Sequence, residues 1–143
     1  MVNTRVLIVD DEDEFSKALS DRMKVRGLTV DIARSGKEAL EKVKKGTYDA
    51  IILDMVMPEM NGLETLKKIR EKKPDFQVIL LTGHATIKDG VESMKYGAVD
   101  FLEKPADLES LLKKIEDAKA KRLLLVEKNR EQQVKEILSK YSW

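Results

Sequence analysis

The sequence predicts one α/β domain built on a five-stranded parallel sheet with helices on both faces. Apolar, strand-like runs alternate five times with segments of helical periodicity, which is the pattern of a doubly wound sheet. Right-handed crossovers then favour the strand order 2-1-3-4-5. A chain of 143 residues is long enough for such a domain and a short addition. We therefore expect a domain over residues 1–118 and a helical extension or linker over residues 119–143.

The first half of the chain contains two helices whose ends are marked by glycine. Apolar residues within 15–23 recur at helical spacing, and Gly27 closes this helix before the second strand. Ser35 and Glu38 have the spacing of a capping box, in which two side chains satisfy free backbone N–H groups at a helix start. Gly46 ends the second helix before the third strand.

Turn-forming residues also divide the second half. Asn61-Gly62 marks an open loop after the third strand, and Pro74 stops the third helix. Gly97 ends the fourth helix, and a fifth begins near Asp107 and continues into the extension. The predicted strands are residues 5–9, 28–33, 48–53, 77–81 and 99–102, and the helices outside the Ser35–Gly46 segment are 13–25, 63–72, 87–96 and 107 onward.

The composition excludes several classes of function. Acidic and basic residues nearly balance at a formal net charge of +1, which argues against nucleic acid or an anionic membrane as an obligatory partner. The absence of cysteine excludes disulfides, thiolate zinc sites and cysteine catalysis. No run is long and apolar enough to cross a bilayer, and the first residues lack signal-peptide architecture. We expect a cytoplasmic protein with no membrane partner.

Five polar residues lie at or just past the ends of four predicted strands. They are Asp10, Asp11, Asp54, Thr82 and Lys104. Function gathers at the carboxyl ends of the strands in an open parallel sheet. We therefore expect these side chains to form one site, and their chemistry suits phosphoryl transfer.

Each residue type has a role in such chemistry. Asp10 and Asp11 form a carboxylate pair that suits Mg²⁺, whereas we interpret the neighbouring Asp13 and Glu14 as the acidic first turn of a helix. A carboxylate such as Asp54 can accept a phosphoryl group when cations neutralise the developing charge. Lys104 would supply a mobile cation, and the Thr82 hydroxyl a hydrogen-bond donor.

These residues stand in motifs that resemble the receiver domain of two-component response regulators. The resemblance covers about residues 3–118 and implies a flavodoxin-like fold. It implies that Asp54 is the phosphoacceptor, that Asp10 and Asp11 bind Mg²⁺ together with Asp54 and the backbone carbonyl of Val56, and that Thr82 and Lys104 hold the phosphoryl oxygens. The motifs are Val6-Leu7-Ile8-Val9-Asp10-Asp11, Asp54-Met55-Val56-Met57-Pro58-Glu59-Met60-Asn61-Gly62, Thr82-Gly83-His84-Ala85 and Phe101-Leu102-Glu103-Lys104-Pro105.

The resemblance also implies a partner and a switch. A sensor histidine kinase would supply the phosphoryl group, and the chain would act on no other substrate than itself. Phosphorylation would draw Thr82 inward and let Phe101 rotate; the alternative, which we favour less, is that Phe101 is a plain core or surface aromatic. The family's bond at Lys104-Pro105 is usually cis, and kinase choice would be read by Phe15, Ala18, Leu19 and Pro105.

Two residues are expected at the rim of the phosphate pocket. Val56 lies two positions after Asp54, and His84 two positions after Thr82. Val56 has no polar side chain, so we predict that it slows loss of the phosphoryl group. We interpret His84, the single histidine, as a loop residue rather than a phosphodonor.

The extension differs in composition from the domain. Residues 119–143 carry seven basic and three acidic residues, whereas residues 1–118 carry 20 and 23. The stretch 121–130 is similar to the helical linker that precedes ATPase domains in nitrogen-regulator-like receivers. Apolar residues recur along the whole extension, so we expect either a homodimer through helix 5 and the tail, or a frayed, solvated helix. We find no DNA-binding domain in this chain, which is either a stand-alone receiver or part of a longer regulator.

Two other functions fit parts of the pattern. A phosphorylation-independent adaptor with the receiver fold would not need the whole acidic and basic set. A haloacid-dehalogenase-like phosphatase would place its nucleophile on the first strand, but the sequence from Asp11 to Phe15 lacks the Thr or Val that completes that motif.

Overall fold

The computed structural model describes residues 3–57, 59–83 and 87–141. Within them, strands and helices alternate along the chain, and the parallel sheet has the predicted order β2-β1-β3-β4-β5. The elements are β1 (Arg5–Val9), α1 (Asp13–Val25), β2 (Thr29–Ala33), α2 (Gly36–Lys45), β3 (Ala50–Leu53), α3 (Gly62–Lys72), β4 (Val78–Thr82), α4 (Ile87–Lys95), β5 (Asp100–Glu103) and α5 (Leu108–Lys140).

β2 and β3 each begin later along the chain than the sequence predicts. Leu28 is not in β2, because its N–H donates to the carbonyl of Met23 and so closes α1. Gly27, at the same turn, has a φ of +90°, which glycine adopts without strain. β3 begins at Ala50, two residues later than predicted.

The predicted capping box of α2 is half correct. Ser35 Oγ accepts the N–H of Glu38 at 3.1 Å, as expected. Glu38 Oε2, however, accepts the N–H of Arg34 at 3.2 Å and not that of Ser35. The cap therefore also holds the residue before the N-cap.

The sheet separates two apolar layers. Side chains from α2 and α3 pack on one face, and side chains from α1 and α5 pack on the other. β3 lies between β1 and β4, and all four of its residues are buried. β3 and its neighbours therefore form the buried centre of the sheet, and their carboxyl ends hold the polar residues described below.

Helix α5 is 33 residues long, and only its first half packs on the sheet. Its start is confirmed: Asp107 is the N-cap and accepts the N–H of Ser110 at 3.1 Å. Burial extends to Ala118, and the residues after position 125 are exposed. At about 1.5 Å per residue, the exposed part reaches more than 20 Å beyond the sheet.

An ion-pair cluster, here called the basal clamp, fixes α5 at the amino-terminal ends of the strands. The polar residues lie at the opposite, carboxyl ends. Arg122 lies with its Nε 3.0 Å from Asp75 Oδ2 and its Nη1 3.3 Å from Asp49 Oδ1. The guanidinium also lies 5.4 Å from the ring centroid of Phe76. The basal clamp comprises Arg122, Asp49 and Asp75, and it continues the attachment of α5 four residues past Ala118.

None of the helices in the part of the chain that the structure describes is both long and apolar enough to span a membrane.

Candidate functional site

Backbone hydrogen bonds bring the polar strand ends together. The N–H of Asp54 donates to the carbonyl of Val9 at 2.9 Å, which sets the end of β3 beside the end of β1. The N–H of Lys104 donates to the carbonyl of Thr82 at 2.9 Å, which joins the ends of β4 and β5. The expected convergence of the four strand ends is therefore present in the structure.

Lys104 lies at the centre of this site. Its Nζ donates to Asp10 Oδ2 at 2.7 Å and lies 3.5 Å from Glu12 Oε1. Asp54 Oδ2 is 3.9 Å from the same nitrogen. The side chains of Asp10 and Asp54 are almost fully buried, at 3% and 4% exposure. One ammonium thus faces two buried carboxylates and a third, that of Glu12, which is 60% exposed.

The pKa values of both partners of the central ion pair, Asp10 and Lys104, are raised, for different reasons. Burial raises the pKa of Asp10, and the charge of Asp54 adds to this effect against the opposing hydrogen bond from Lys104. Burial lowers the pKa of Lys104, but the hydrogen bond to Asp10 and the neighbouring carboxylates outweigh it, so this pKa lies above its ordinary value. Lys104 is therefore a permanent cation at neutral pH.

Three carboxylates are placed to hold a divalent cation. Oxygens of Asp10, Glu12 and Asp54 all lie within 4.8 Å of one another. Hard oxygen donors of this kind fit Mg²⁺, which prefers a few carboxylates and keeps some of its waters. Asp11 is exposed and lies outside this group. Its predicted metal role stays a prediction, and Glu12 is a further candidate ligand.

The loop after β3 keeps Asp54 in place. The N–H of Val56 donates to Asp54 Oδ1 at 3.3 Å, so the backbone already polarises the carboxylate. The role predicted for the carbonyl of Val56 stays a prediction. α3 begins at Gly62, where an added Cβ would lie 2.4 Å from the carbonyl oxygen of Asp54. The close return of the chain over Asp54 therefore requires glycine at this position.

The predicted switch residues lie beside the site. Thr82 is fully buried at the end of β4. Phe101 is half-buried on β5 and packs on α4, where an added Cβ at Gly90 would lie 3.4 Å from its ring. The Lys104-Pro105 peptide bond is cis, as the resemblance implies. His84, expected at the pocket rim, lies outside the described residues, as does Pro58.

Comparison with known proteins identifies the family. Residues 6–116 match the response regulator receiver domain. The chain belongs to this family. Among curated relatives, the transcriptional regulatory protein ZraR of Escherichia coli K12 is 36% identical over 118 residues, which are 82% of this chain and 27% of ZraR. The response regulator ArlR of Staphylococcus saprophyticus is 38% identical over 112 residues, 78% of this chain and 50% of ArlR. This receiver domain thus spans between about a quarter and a half of those relatives.

Solved receiver structures share its fold. A receiver domain protein from Clostridium thermocellum matches with a TM-score of 0.81 and 31% identity, over 85% of this chain and 98% of that one. TrrA from Thermotoga maritima, solved in complex with Mg²⁺-BeF, matches with a TM-score of 0.73 and 35% identity, over 80% and 98%. A Burkholderia pseudomallei response regulator with a phosphorylated aspartic acid and a calcium ion matches with a TM-score of 0.74 and 27% identity, over 92% and 84%.

A groove on this receiver domain adjoins the site between α1 and α5. It has a volume of about 250 Å³ and an apolar lining. The residues from which kinase choice was expected to be read all line it: Phe15, Ala18, Leu19 and Pro105. Phe15 contacts both the groove and Lys104, because its ring centroid lies 3.9 Å from Lys104 Nζ. The resemblance indicated Phe15 as a residue that reads kinase choice, and the sequence gave no sign of its contact with the ammonium.

Proposed function

We propose that this receiver domain accepts a phosphoryl group from a histidine kinase on Asp54 and signals by a change of conformation. The observation that carries the proposal is the placement of Asp54, a buried carboxylate held by a backbone N–H, 3.9 Å from the Lys104 ammonium. The family match and a related structure whose aspartic acid is phosphorylated support it.

The transfer is an exchange of one bond for another. An oxygen of the Asp54 carboxylate attacks phosphorus, and an O–P bond forms as the N–P bond to the donor histidine breaks. The electron pair of that bond goes to the imidazole nitrogen, which takes up a proton, so the products are an acyl phosphate and a neutral histidine. Water later attacks the acyl phosphate and returns the Asp54 carboxylate and inorganic phosphate.

The chain's own residues prepare this step. Asp54 Oδ1 accepts the N–H of Val56, and Asp54 Oδ2 lies 3.9 Å from the Lys104 ammonium. Lys104 is the cation that can shift from Asp10 to a phosphoryl oxygen on Asp54, because its Nζ lies 2.7 Å from Asp10 Oδ2 and 3.9 Å from Asp54 Oδ2. The buried Thr82 hydroxyl would hold a second phosphoryl oxygen. Asp10, Glu12 and Asp54, with Asp11 as predicted, would hold Mg²⁺, which when bound neutralises charge on the phosphoryl oxygens.

The signal would leave the site through Thr82 and Phe101. Inward movement of Thr82 would free space for the Phe101 ring, which already packs against α4 at Gly90. The face formed by α4, β5 and α5 would then change its packing. The chain would thus catalyse only its own phosphorylation and dephosphorylation.

We also propose a location and a subgroup for this receiver domain. The cytoplasm, where histidine kinases present their phosphorylated histidine, is the proposed location. The nitrogen-regulator-like group is the proposed subgroup, on the residues Thr82-Gly83-His84-Ala85 and the stretch 121–130. No DNA or membrane partner is proposed for the described residues. The adaptor alternative predicts a folded domain whose Asp54 never reacts.

A second copy of the chain is the proposed partner of the extension. Among the described residues after position 122, seven large apolar side chains are 40–70% exposed. They form two groups about 20 Å apart along α5, with a charged and amide-rich segment between them. A two-fold dimer buries the same stripe on both chains, and the alternating Glu and Lys or Arg residues of the segment can pair across it. The residues are Leu123, Leu124, Val126, Val134, Ile137, Leu138 and Tyr141.

The proposal is tested by incubating the protein with Mg²⁺ and acetyl phosphate and measuring its intact mass. We expect one phosphoryl adduct that is stable in acid and lost in base. Asp54→Asn should give no adduct, while the control Asp13→Asn, an exposed acidic residue of α1, should react like the wild type. A wild-type protein without an adduct would favour the adaptor.

A further inference from the structure

The ammonium of Lys104 is covered on one side by an aromatic ring. Phe15, in the first turn of α1, places its ring centroid 3.9 Å from Lys104 Nζ. The ring is half-buried, and the Lys104 side chain is 12% exposed. This distance is well inside the range of a cation–π contact.

The ring and the carboxylates have different effects on the ammonium. Asp10 and Glu12 accept hydrogen bonds from Lys104 at 2.7 and 3.5 Å, and Asp54 offers a charged oxygen at 3.9 Å. The ring attracts the same charge through its face and accepts no directed hydrogen bond. The ammonium can therefore turn from Asp10 towards Asp54 without losing its contact with Phe15.

A second consequence concerns water. An ammonium at this depth would otherwise complete its hydrogen bonds with solvent on the side of the groove. The apolar ring fills that side, with Leu108 and Pro105 close by in the groove lining. Electrostatic contacts inside a pocket closed in this way are stronger than in water.

We propose that Phe15 is a positioning residue for the phosphoryl-transfer site, holding the Lys104 ammonium between Asp10 and Asp54 by a cation–π contact. The inference rests on the proposed role of Asp54 for its effect on reaction rate. It does not rest on that role for the position of Lys104, which can be measured in the unreacted protein.

The position of Lys104 is tested by NMR of protein labelled at lysine, with the Lys104 signal assigned from Lys104→Arg. Protons over a ring face are shifted upfield, so we expect the Lys104 Hε signal to lie upfield of the other lysines. The shift should disappear in Phe15→Leu and remain in Phe15→Tyr. An unchanged Lys104 signal in Phe15→Leu would overturn the inference.

The effect on the reaction is tested with progressively fluorinated phenylalanine at position 15, which weakens the attraction of the ring face while nearly keeping its volume. The rate of adduct formation from acetyl phosphate should fall stepwise along the series, and about threefold to thirtyfold in Phe15→Leu. This small donor needs no docking in the groove, so the rate reports on Lys104 and not on kinase contact. The same series at Phe76, whose ring contacts Arg122 at the far edge, should leave the rate unchanged.

The outcomes separate the two proposals. Equal rates across the fluorinated series, in a wild-type protein that does form the adduct, would overturn the role of Phe15 and leave that of Asp54 intact. No adduct in the wild type would overturn the role of Asp54, and the NMR shift would then decide whether Phe15 positions Lys104.

Discussion

Arg122, near the middle of α5, forms an ion pair with Asp49, the residue that immediately precedes β3. Arg122 Nη1 and Asp49 Oδ1 lie 3.3 Å apart. Both side chains are largely buried, at 14% and 11% exposure. Asp49 Oδ2 also accepts the backbone N–H of Arg5 at 2.9 Å. The start of the extension is thus joined to the amino-terminal edge of two strands.

Breaking the basal clamp should release the extension. Arg122→Met leaves Asp49 and Asp75 without their cation, and we expect the free energy of unfolding to fall by about 2–4 kcal/mol, since Asp75 is partly exposed. Hydrogen exchange of backbone amides in 119–126 should become faster. Arg130→Met, an exposed change on the same helix, serves as the control. Unchanged exchange in Arg122→Met would show that the clamp does not hold α5.

Tyr48 should make the stability depend on alkaline pH. Burial and the hydrogen bond from its hydroxyl to Asp31, at 2.7 Å, raise the pKa of Tyr48 from 10.0 to about 12. Below about pH 10, Tyr48 keeps its proton in both the folded and the unfolded chain, and its full contribution to the free energy of unfolding is present. Between about pH 10 and 12 only the unfolded chain loses this proton, so the free energy of unfolding decreases as the pH rises. Across this interval, the free energy of unfolding of the wild type should fall by about 2–3 kcal/mol more than that of Tyr48→Phe.

The measurement for Tyr48 is denaturant unfolding at a series of pH values. The two proteins differ only at position 48, so the difference between their stability curves isolates the tyrosine. Tyr141→Phe, at a residue that is 70% exposed, should follow the wild-type curve. Parallel curves for wild type and Tyr48→Phe would contradict the assigned hydrogen bond.

Val56 should control the lifetime of the phosphorylated form. Its side chain is 53% exposed at a cleft of about 360 Å³ beside the Asp54 loop. In Val56→Asn, the amide can bind the water that attacks the acyl phosphate. We expect the half-life of the adduct to shorten about twofold to tenfold, the worth of one hydrogen bond. Val25→Asn, at the end of α1, is the control, and equal half-lives in Val56→Asn and wild type would refute this role.

The apolar stripe of the extension should support self-association. Leu124→Glu with Ile137→Glu places charge in both of its apolar groups, and we expect this variant to sediment as a monomer where the wild type sediments as a dimer. Val25→Glu, at an apolar residue that is 85% exposed on the domain, should leave the dimer intact. A wild-type monomer at high micromolar concentration, with and without phosphorylation, would rule out the dimer.

Local patterns were enough to predict the fold and the meeting of the strand ends. The runs before Asp10, Asp54 and Thr82 are apolar and short, and glycine at position 27 closes a helix at a positive φ. Such signals act within a few residues, and the order of the strands then follows from the handedness of crossovers. The domain boundary near residue 118 stays a prediction, because α5 continues across it without a break.

The contacts that sequence reasoning missed join residues far apart in the chain. Arg122 meets Asp49 and Asp75 across the sheet, and Phe15 meets Lys104. Periodicity along one helix indicates which face is apolar, but it does not indicate which distant charge lies opposite. Glu12 Oε1 likewise lies 3.5 Å from the Lys104 ammonium, a contact that the local motif does not indicate.

The most direct test of the account is to locate the phosphoryl group on the chain. After reaction with acetyl phosphate and Mg²⁺, borohydride reduces an acyl phosphate of aspartate to homoserine, which peptide mass spectrometry identifies. We predict homoserine at position 54 alone, and none when Mg²⁺ is removed with a chelator. Conversion at Asp10, Asp11 or another carboxylate in place of Asp54 would contradict the central claim.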